Sequence, residues 1–400
     1  MKKIFFTLAL FITFLIAKEV KIGVALPLNS IELEALGYSS KEGLETAYEL
    51  NHTLSNQDTI KLVYIDHKGD SKKAQDAIYK LISEDNVSVV LSGVTTKNVA
   101  SMALVAKDNL TPMVVYSSVE PSLTKDNNYI TRVNFIDKFQ GTVMAKYAFE
   151  NNLTKAIVIE NNSSYYKDIS NEFKNSYTKK GGAILESYFI DSTLSNFNKI
   201  EEIKAKKPDI IAIIADVFDT ALLVKQIRAM GIDSKIVVLK DIEKYFDRFI
   251  KIADKTANRV LYISSSNNSF LEPYSTNFNA ELIEESSTVG DFNIQAAKNL
   301  KAKAFIKRFY KKYTTYPDAL SALMADAYWV TLQAMQECVS SGKSSDDKEC
   351  INNHLKAIKN YKGLTNILVI KNSEAIKPAV INEIKNLKPT YKTTIDISNF

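Results

Sequence analysis

The 400-residue chain predicts an α/β fold of open, mostly parallel sheets with helices on both faces, divided between two domains. Three observations predict it. Short Val/Ile-rich runs alternate with helical periods along most of the chain, as in VSVVLSGVTTKNVASMALVAKDNLTPMVVYSSVEPSL at 87–123. A buried strand, a helix of about twelve residues and a second buried strand make a βαβ unit with parallel strands. A mature length of about 380 residues exceeds one comfortable core. The alternation also breaks near Asp126–Asp137, where DNNYITRVNFID carries turn residues but no long helix, so strand order restarts there in a second sheet.

The chain opens Met1-Lys2-Lys3, continues through the uncharged run Ile4–Ile16, and reaches Ala17 ahead of Lys18-Glu19. A basic start, an apolar run and a small exit residue describe a secretory leader over 1–17. The run falls short of the ~20 residues that span a bilayer, and no Cys stands near the exit for lipid attachment. Strands are expected at Val20–Leu26, Ile60–Ile65, Val87–Leu91, Met113–Tyr116, Ala156–Ile159, Ala183–Tyr188, Ile210–Ile214, Lys235–Leu239 and Arg259–Ile263. Helices are expected between them at Ser39–Asn51, Ser71–Ser83, Asn98–Asn109, Phe139–Asn151, Tyr166–Lys180, Ile200–Ala205, Phe218–Met230 and Glu243–Ala253. Ser264–Asn293 is polar and aromatic without period, and reads as a surface insertion or lid. Helices return at Ala296–Tyr313, Ala319–Glu337 and Ile351–Asn360, and Thr365–Phe400 reads as short strands.

Without Lys2 and Lys3, 49 basic residues face 46 acidic ones, a net charge of +3 with both signs interspersed. That is a solvated surface and no nucleic-acid footprint. The two cysteines, Cys338 and Cys350, flank SSGKSSDDKE and should close one disulfide in an oxidising compartment. His52, His67 and His354 have no paired spacing, so no metal is expected. No GxGxxG, Walker loop, GxSxG or HExxH is present, and no nucleophile–base pair. These negatives point away from cofactors and away from an enzyme. Asn-x-Ser/Thr triplets at Asn86, Asn152 and Asn162 carry an acid two positions earlier, the extended form used in bacterial N-glycosylation. An Asn-rich chain also makes such triplets by chance.

Right-handed crossover puts the C-termini of the strands at 87–91 and 113–116 on one edge. Gly93-Val94-Thr95-Thr96 and Ser117-Ser118-Val119 then face one crevice, with hydroxyls, free N–H groups and the positive end of a helix dipole. That set suits a small carboxylate. The same residue types also cap helices and fill turns.

KIGVALPLNS and LGYSSKEGLETAYELN within 21–51 resemble the opening of the type I periplasmic binding proteins, the leucine/isoleucine/valine-binding group. IKLVYIDHKGDSKKAQDAIYKLI at 60–82, SGVTTKNVASMALVA at 92–106, SSVEPSLT at 117–124 and VIENNSSYYKD at 158–168 agree in order and spacing. So do PDIIAIIADVFDTALLVKQIRAMGI at 208–232 and FIKRFYKKYTTYPDALSALMADAYW at 305–329. The resemblance implies two Rossmann-like lobes joined by a three-stranded hinge, 18–136 plus 265–366 and 137–264 plus 367–400. It implies a periplasmic monomer that closes on an amino acid or related carboxylate or amide and delivers it to an ABC permease in the inner membrane. The alternative within the same fold is a ligand-sensing receptor subunit. By position, Thr96, Ser117 and Ser118, with Thr95 beside them, would hold the carboxylate, and Val119 replaces one family hydroxyl. Tyr165 would press on the ligand, and Asp241 would take its ammonium, with Asp216 and Asp219 as rival acids. Leu36 stands where the family has an aromatic, and Asn366 where it usually has Gly.

Overall fold

The computed structural model describes residues 17–118, 122–134, 136–190, 197–264, 300–359, 361–371, 373–397 and 400. Residues 1–16 of the leader expected over 1–17, Val119 and the 265–293 part of the expected insertion lie outside the described residues.

The first sheet takes β1 (Glu19–Leu26), β2 (Thr59–Asp66), β3 (Val89–Ser92), β4 (Met113–Val115) and β5 (Ile130–Arg132) in the order β2-β1-β3-β4-β5, all parallel. Their connections carry α1 (Glu34–Leu50), α2 (Ser71–Ser83), α3 (Thr96–Asp108) and α4 (Ser122–Lys125). After α5 (Phe139–Glu150) come β6 (Lys155–Asn161), α6 (Ser164–Lys179), β7 (Ala183–Ile190), α7 (Ile200–Lys206), β8 (Ile210–Ile214), α8 (Val217–Ala229), β9 (Lys235–Val238), α9 (Asp241–Lys244), α10 (Phe246–Ala253) and β10 (Val260–Ser264). The chain continues through α11 (Leu300–Tyr313), α12 (Ala319–Ser340) and α13 (Lys348–Lys356) to β11 (Tyr361–Gly363), β12 (Asn366–Lys371), β13 (Glu374–Ile376), β14 (Ala379–Lys385) and β15 (Lys388–Ile395). The second sheet runs β15-β14-β10-β9-β8-β6-β7, parallel except where β14 pairs with β10 and β15; β11-β12-β13 form a small antiparallel sheet.

The two α/β lobes follow from these runs. VVLS of β3 and IIAII of β8 are buried at every position, as strands covered on both faces must be. On one face of the first sheet Val20, Ile22 and Val24 pack with Phe305, Met324 and Trp329 of α11 and α12; on the other, Val90 and Val115 pack with Ile78, Leu81 and Met102 of α2 and α3. The second sheet has its own two cores, one with Leu223 and Phe249, one with Met144 and Phe173. Ile370 and Ala375 of β12 and β13 belong to the first-sheet core. Asp70, Asp216, Asp318 and Asp347 cap α2, α8, α12 and α13 by accepting first-turn N–H bonds. Among the described residues no helix is long and apolar enough to cross a membrane.

Three expectations are corrected. α1 starts at Glu34, not Ser39: Ser39 Oγ bonds Asp318 Oδ1 at 2.5 Å instead of capping, and Ser40 Oγ bonds back to Leu36 O. The single helix expected over 243–253 is two, because Tyr245 leaves the helical region between α9 and α10 (φ −123°). β5 was not expected; its three residues sit in the polar break and still pair with β4.

The chain passes from one sheet to the other after β5, after β10 and after β13. The first and third passages are tied together. Arg132 N donates to Ser373 O at 2.9 Å, and the buried Arg132 Nε pairs with Glu374 Oε2 at 3.1 Å. Lys377 Nζ donates to Val133 O at 3.2 Å and also bonds Thr365 Oγ1.

Candidate functional site

Each sheet reverses its strand order at one point, between β1 and β3 and between β6 and β8. Open α/β sheets hold ligands beyond the strand C-termini at such a switch point. That rule directs attention to the turns after β3 and β4 in one lobe, and after β6, β8 and β9 in the other.

On the first edge the turn Gly93–Thr95 is held from β4. Val94 has φ +74°, where a β-branched residue is strained, and its N–H donates to Ser117 Oγ at 2.6 Å. A Cβ on Gly93 would lie 2.7 Å from the Tyr116 ring and 2.8 Å from Ser117 Oγ, so only glycine lets the turn seat. Thr95 precedes α3 with extended backbone, and its side chain makes no capping bond to the first-turn N–H groups. Thr96 Oγ1 lies 3.0 Å from Ser118 Oγ. Two hydroxyls sharing one contact retain one free proton, and Ser117, which accepts from Val94, retains its own. Ser118 is buried, Ser117 half-buried and Thr96 exposed.

The second edge is charged. Tyr165 Oη donates to Asp137 Oδ2 at 2.9 Å, and Lys240 Nζ meets Asp137 Oδ1 at 2.5 Å. Lys240 N donates to Oε1 of the buried Gln140 at 2.8 Å, which fixes the β9–α9 turn against α5. The Tyr165 and Tyr166 rings stand edge to face with centroids 5.0 Å apart. Burial, then Asp137 and Asp241, push the Tyr165 hydroxyl well above its ordinary range. Burial, then Asp241, Asp216 and Asp219, push the Tyr166 hydroxyl up to about 12. Asp216 and Asp219 follow β8 and Asp241 follows β9, on the sheet edge where Tyr166 follows β6. Asp216 accepts from Phe218 N and Asp219 N, at 2.9 and 3.1 Å, as the α8 cap. Burial and the neighbouring Asp216 push Asp219 up to about 6.

The structure therefore brings Thr96 to Ser118, turns Ser117 onto the β3–α3 turn, and gathers Tyr165, Asp216 and Asp241 on one edge. Thr95 stands beside Thr96, and Leu36 is exposed on α1. Sequence reasoning missed Asp137, Lys240 and Gln140. Asp137 lay in the break without a motif, and Lys240 was hidden beside Asp241.

Away from these edges, Cys338 and Cys350 form the expected disulfide, with an Sγ–Sγ distance of 2.14 Å and Cα atoms 5.9 Å apart. His354, which looked isolated in sequence, lies within 4.8 Å of both sulfurs. With both sulfurs bonded to each other, neither is a thiolate ligand.

The model of the family described as "Periplasmic binding protein" matches residues 19–386. Leu/Ile/Val-binding protein homolog 6 of Brucella abortus (strain 2308) is 26% identical over 186 residues, 46% of this chain and 47% of that protein. The chain thus spans about half the length of the curated relatives it matches. The crystal structure of the leucine-binding protein LivK from Thermotoga maritima is 26% identical, with a TM-score of 0.60, covering 95% of this chain and 100% of that one. A putative branched-chain amino acid ABC transporter from Rhodospirillum rubrum shares the fold at a TM-score of 0.74 and 16% identity, covering 94% of this chain and 100% of that one. With its two parallel-sheet lobes and a family match over nearly its whole length, the chain belongs to the periplasmic binding proteins, a family of binding proteins and not of enzymes.

Proposed function

We propose that the chain is an exported solute-binding protein that closes its two lobes on an amino acid or related carboxylate or amide, and hands it to an ABC importer of the inner membrane. The reading rests chiefly on one observation: hydroxyl and N–H donors on one sheet edge answer acids and a tyrosine on the other. A zwitterion needs that pairing, with carboxylate to donors and ammonium to acids. In this reading Thr96, Ser117 and Ser118 with the α3 N-terminus take the carboxylate, Tyr165 covers the ligand, and Asp241 or Asp216 takes the ammonium. Closure bends the three passages, and burial strengthens each charge-assisted bond. The names of the Brucella and Thermotoga relatives point towards aliphatic amino acids. The basic start and apolar run over 1–17, read as a secretory leader, accord with export.

Thermal-shift screening of amino acids, amides, short peptides and carboxylates should find a ligand that raises the melting temperature. Calorimetry then tests the clamp. Thr96→Ala removes a donor to a charged group and should cost about 1.5–3 kcal/mol, roughly ten- to a hundredfold in affinity. Thr95→Ala should bind within twofold of the parent. If neither variant loses affinity, the ligand does not sit on this turn.

A further inference from the structure

We propose that Asn152 is an acceptor of an N-linked oligosaccharide, transferred from a lipid-pyrophosphate donor by an oligosaccharyltransferase that reads an acid two residues ahead. The chain has seven Asn-x-Ser/Thr triplets, at Asn51, Asn86, Asn109, Asn152, Asn161, Asn162 and Asn267. Asp and Glu fill 46 of 400 positions, so chance would place an acid two residues ahead in about one of seven. It stands there in four: Glu49 before Asn51, Glu84 before Asn86, Glu150 before Asn152 and Glu160 before Asn162.

The fold separates these four. A transferase must reach the acid, the amide and the hydroxyl together. At Asn86 the hydroxyl belongs to Ser88, which is only 4% exposed at the entry to β3. At Asn162 the acid is Glu160, 2% exposed and paired with Lys174. At Asn51 the residues are exposed, but Glu49 is held by Lys312 at 2.8 Å and by Arg308 at 3.7 Å. At Asn152 all three key residues, Glu150, Asn152 and Thr154, are exposed. Glu150 has only a loose partner in Lys146 at 3.7 Å, and Thr154 Oγ1 only a long bond to Asp209 Oδ2 at 3.2 Å. Asn152 holds a left-handed φ of +56° at the tip of the α5–β6 turn, and its side-chain amide makes no bond among the described residues.

Surroundings and placement agree with a glycan. A shallow hollow beside Asn152 is lined by Phe149, Leu153, Tyr177, Lys180, Gly181 and Gly182, and Phe149 is 53% exposed. An exposed ring next to two glycines offers a bed for the first sugar. The turn lies at the N-terminal end of β6, whereas the candidate ligand edge lies at its C-terminal end. Seven strand residues at ~3.3 Å each keep the glycan about 20 Å from that edge. In the transfer, Nδ2 of Asn152 attacks the anomeric carbon. A C–N bond forms, the C–O bond to pyrophosphate breaks, the polyprenyl pyrophosphate leaves and one amide proton goes to solvent.

The test uses the purified, folded, disulfide-intact chain, so that it does not depend on export. A detergent-solubilised acid-requiring transferase is first shown to modify the free 148–156 peptide, then offered the folded protein with lipid-linked oligosaccharide and divalent cation. Intact-mass and glycopeptide spectrometry should find one glycan at Asn152. Asn152→Gln should abolish it, and Glu150→Gln should slow it at least tenfold without changing the circular dichroism. An unmodified Asn152 on the folded chain would overturn the proposal. So would modification of Asn86 or Asn162 as readily as Asn152, because selection by exposure would then be absent.

Discussion

Asp326 sits one turn from the single tryptophan on α12 and is only 2% exposed. Its carboxylate accepts three bonds from the turn before β12: Leu364 N at 2.7 Å, Thr365 N at 2.9 Å and Thr365 Oγ1 at 2.7 Å. A Cβ on Gly363 would lie 2.5 Å from either carboxylate oxygen, so the turn is drawn as close as a glycine permits. Thr365 in turn bonds Lys377, whose ammonium reaches Val133 in the first passage between lobes. Asp326→Ala strips an acceptor from three buried donors, each worth roughly 1.5–3 kcal/mol when the acceptor is charged. Release of the carboxylate's own desolvation cost and water entry recover part of the loss. The expected destabilisation is about 4 kcal/mol, against a usual single-mutant cost of about 1 kcal/mol. Asp326→Asn keeps one acceptor oxygen and should lose about half as much. Urea unfolding of the oxidised protein at pH 7, followed by Trp329 emission, reports this lobe directly because Trp329 lies in its core. A loss below about 1 kcal/mol for Asp326→Ala, or equal losses for both variants, would refute the reasoning.

Burial holds Lys377 down to about 8, against the partial support of Asp326. Between about pH 8 and its unfolded value near 10.4 the unfolded chain therefore binds more protons at this site, so its contribution to stability rises with pH across that window; Lys377→Met should remove that slope in urea midpoints. Reducing Cys338–Cys350, which closes a loop with a sequence separation of 12, should cost about 3 kcal/mol on the loop-entropy estimate, read as a lower midpoint in dithiothreitol. Lys174→Met leaves Glu160 of the second lobe buried without its cation and should cost about 3–5 kcal/mol, visible in urea unfolding followed by far-ultraviolet circular dichroism. Gly93→Ala forces a Cβ onto the Tyr116 ring and should cost about 1–3 kcal/mol while disturbing the Thr96–Ser118 contact, which would appear as weaker ligand binding than in Thr95→Ala.

The sheets were legible because their strands are buried on both faces. IIAII needs no partner to declare itself, and the helices between such runs keep an apolar period. Legibility failed where a long-range contact decides. β5 is three residues ending in a fully buried arginine, and nothing in YITRV announces that Glu374, far along the chain, will neutralise it. α1 begins early for a similar reason: Ser39 reads locally as a cap, but Asp318, 279 residues further along the chain, takes its hydroxyl.

The candidate site divides along the same line. Its first edge is local: Gly93, Thr95 and Thr96 lie on one βα turn, so parallel topology alone brought them towards Ser117 and Ser118. Its second edge is assembled from four separate turns, and charge without spacing leaves no signature. Asp137 follows β5, Tyr165 follows β6, Asp216 follows β8 and Lys240 follows β9. The acid first favoured for the ammonium, Asp241, stands next to the lysine that is paired with Asp137. In the proposed reading, a ligand ammonium at this edge competes with Lys240 for Asp137 or binds at Asp241 and Asp216. Lys240→Met decides between these routes. Displacement predicts tighter binding in the variant, because the competing cation is gone, whereas unchanged affinity assigns the ammonium to Asp241 and Asp216.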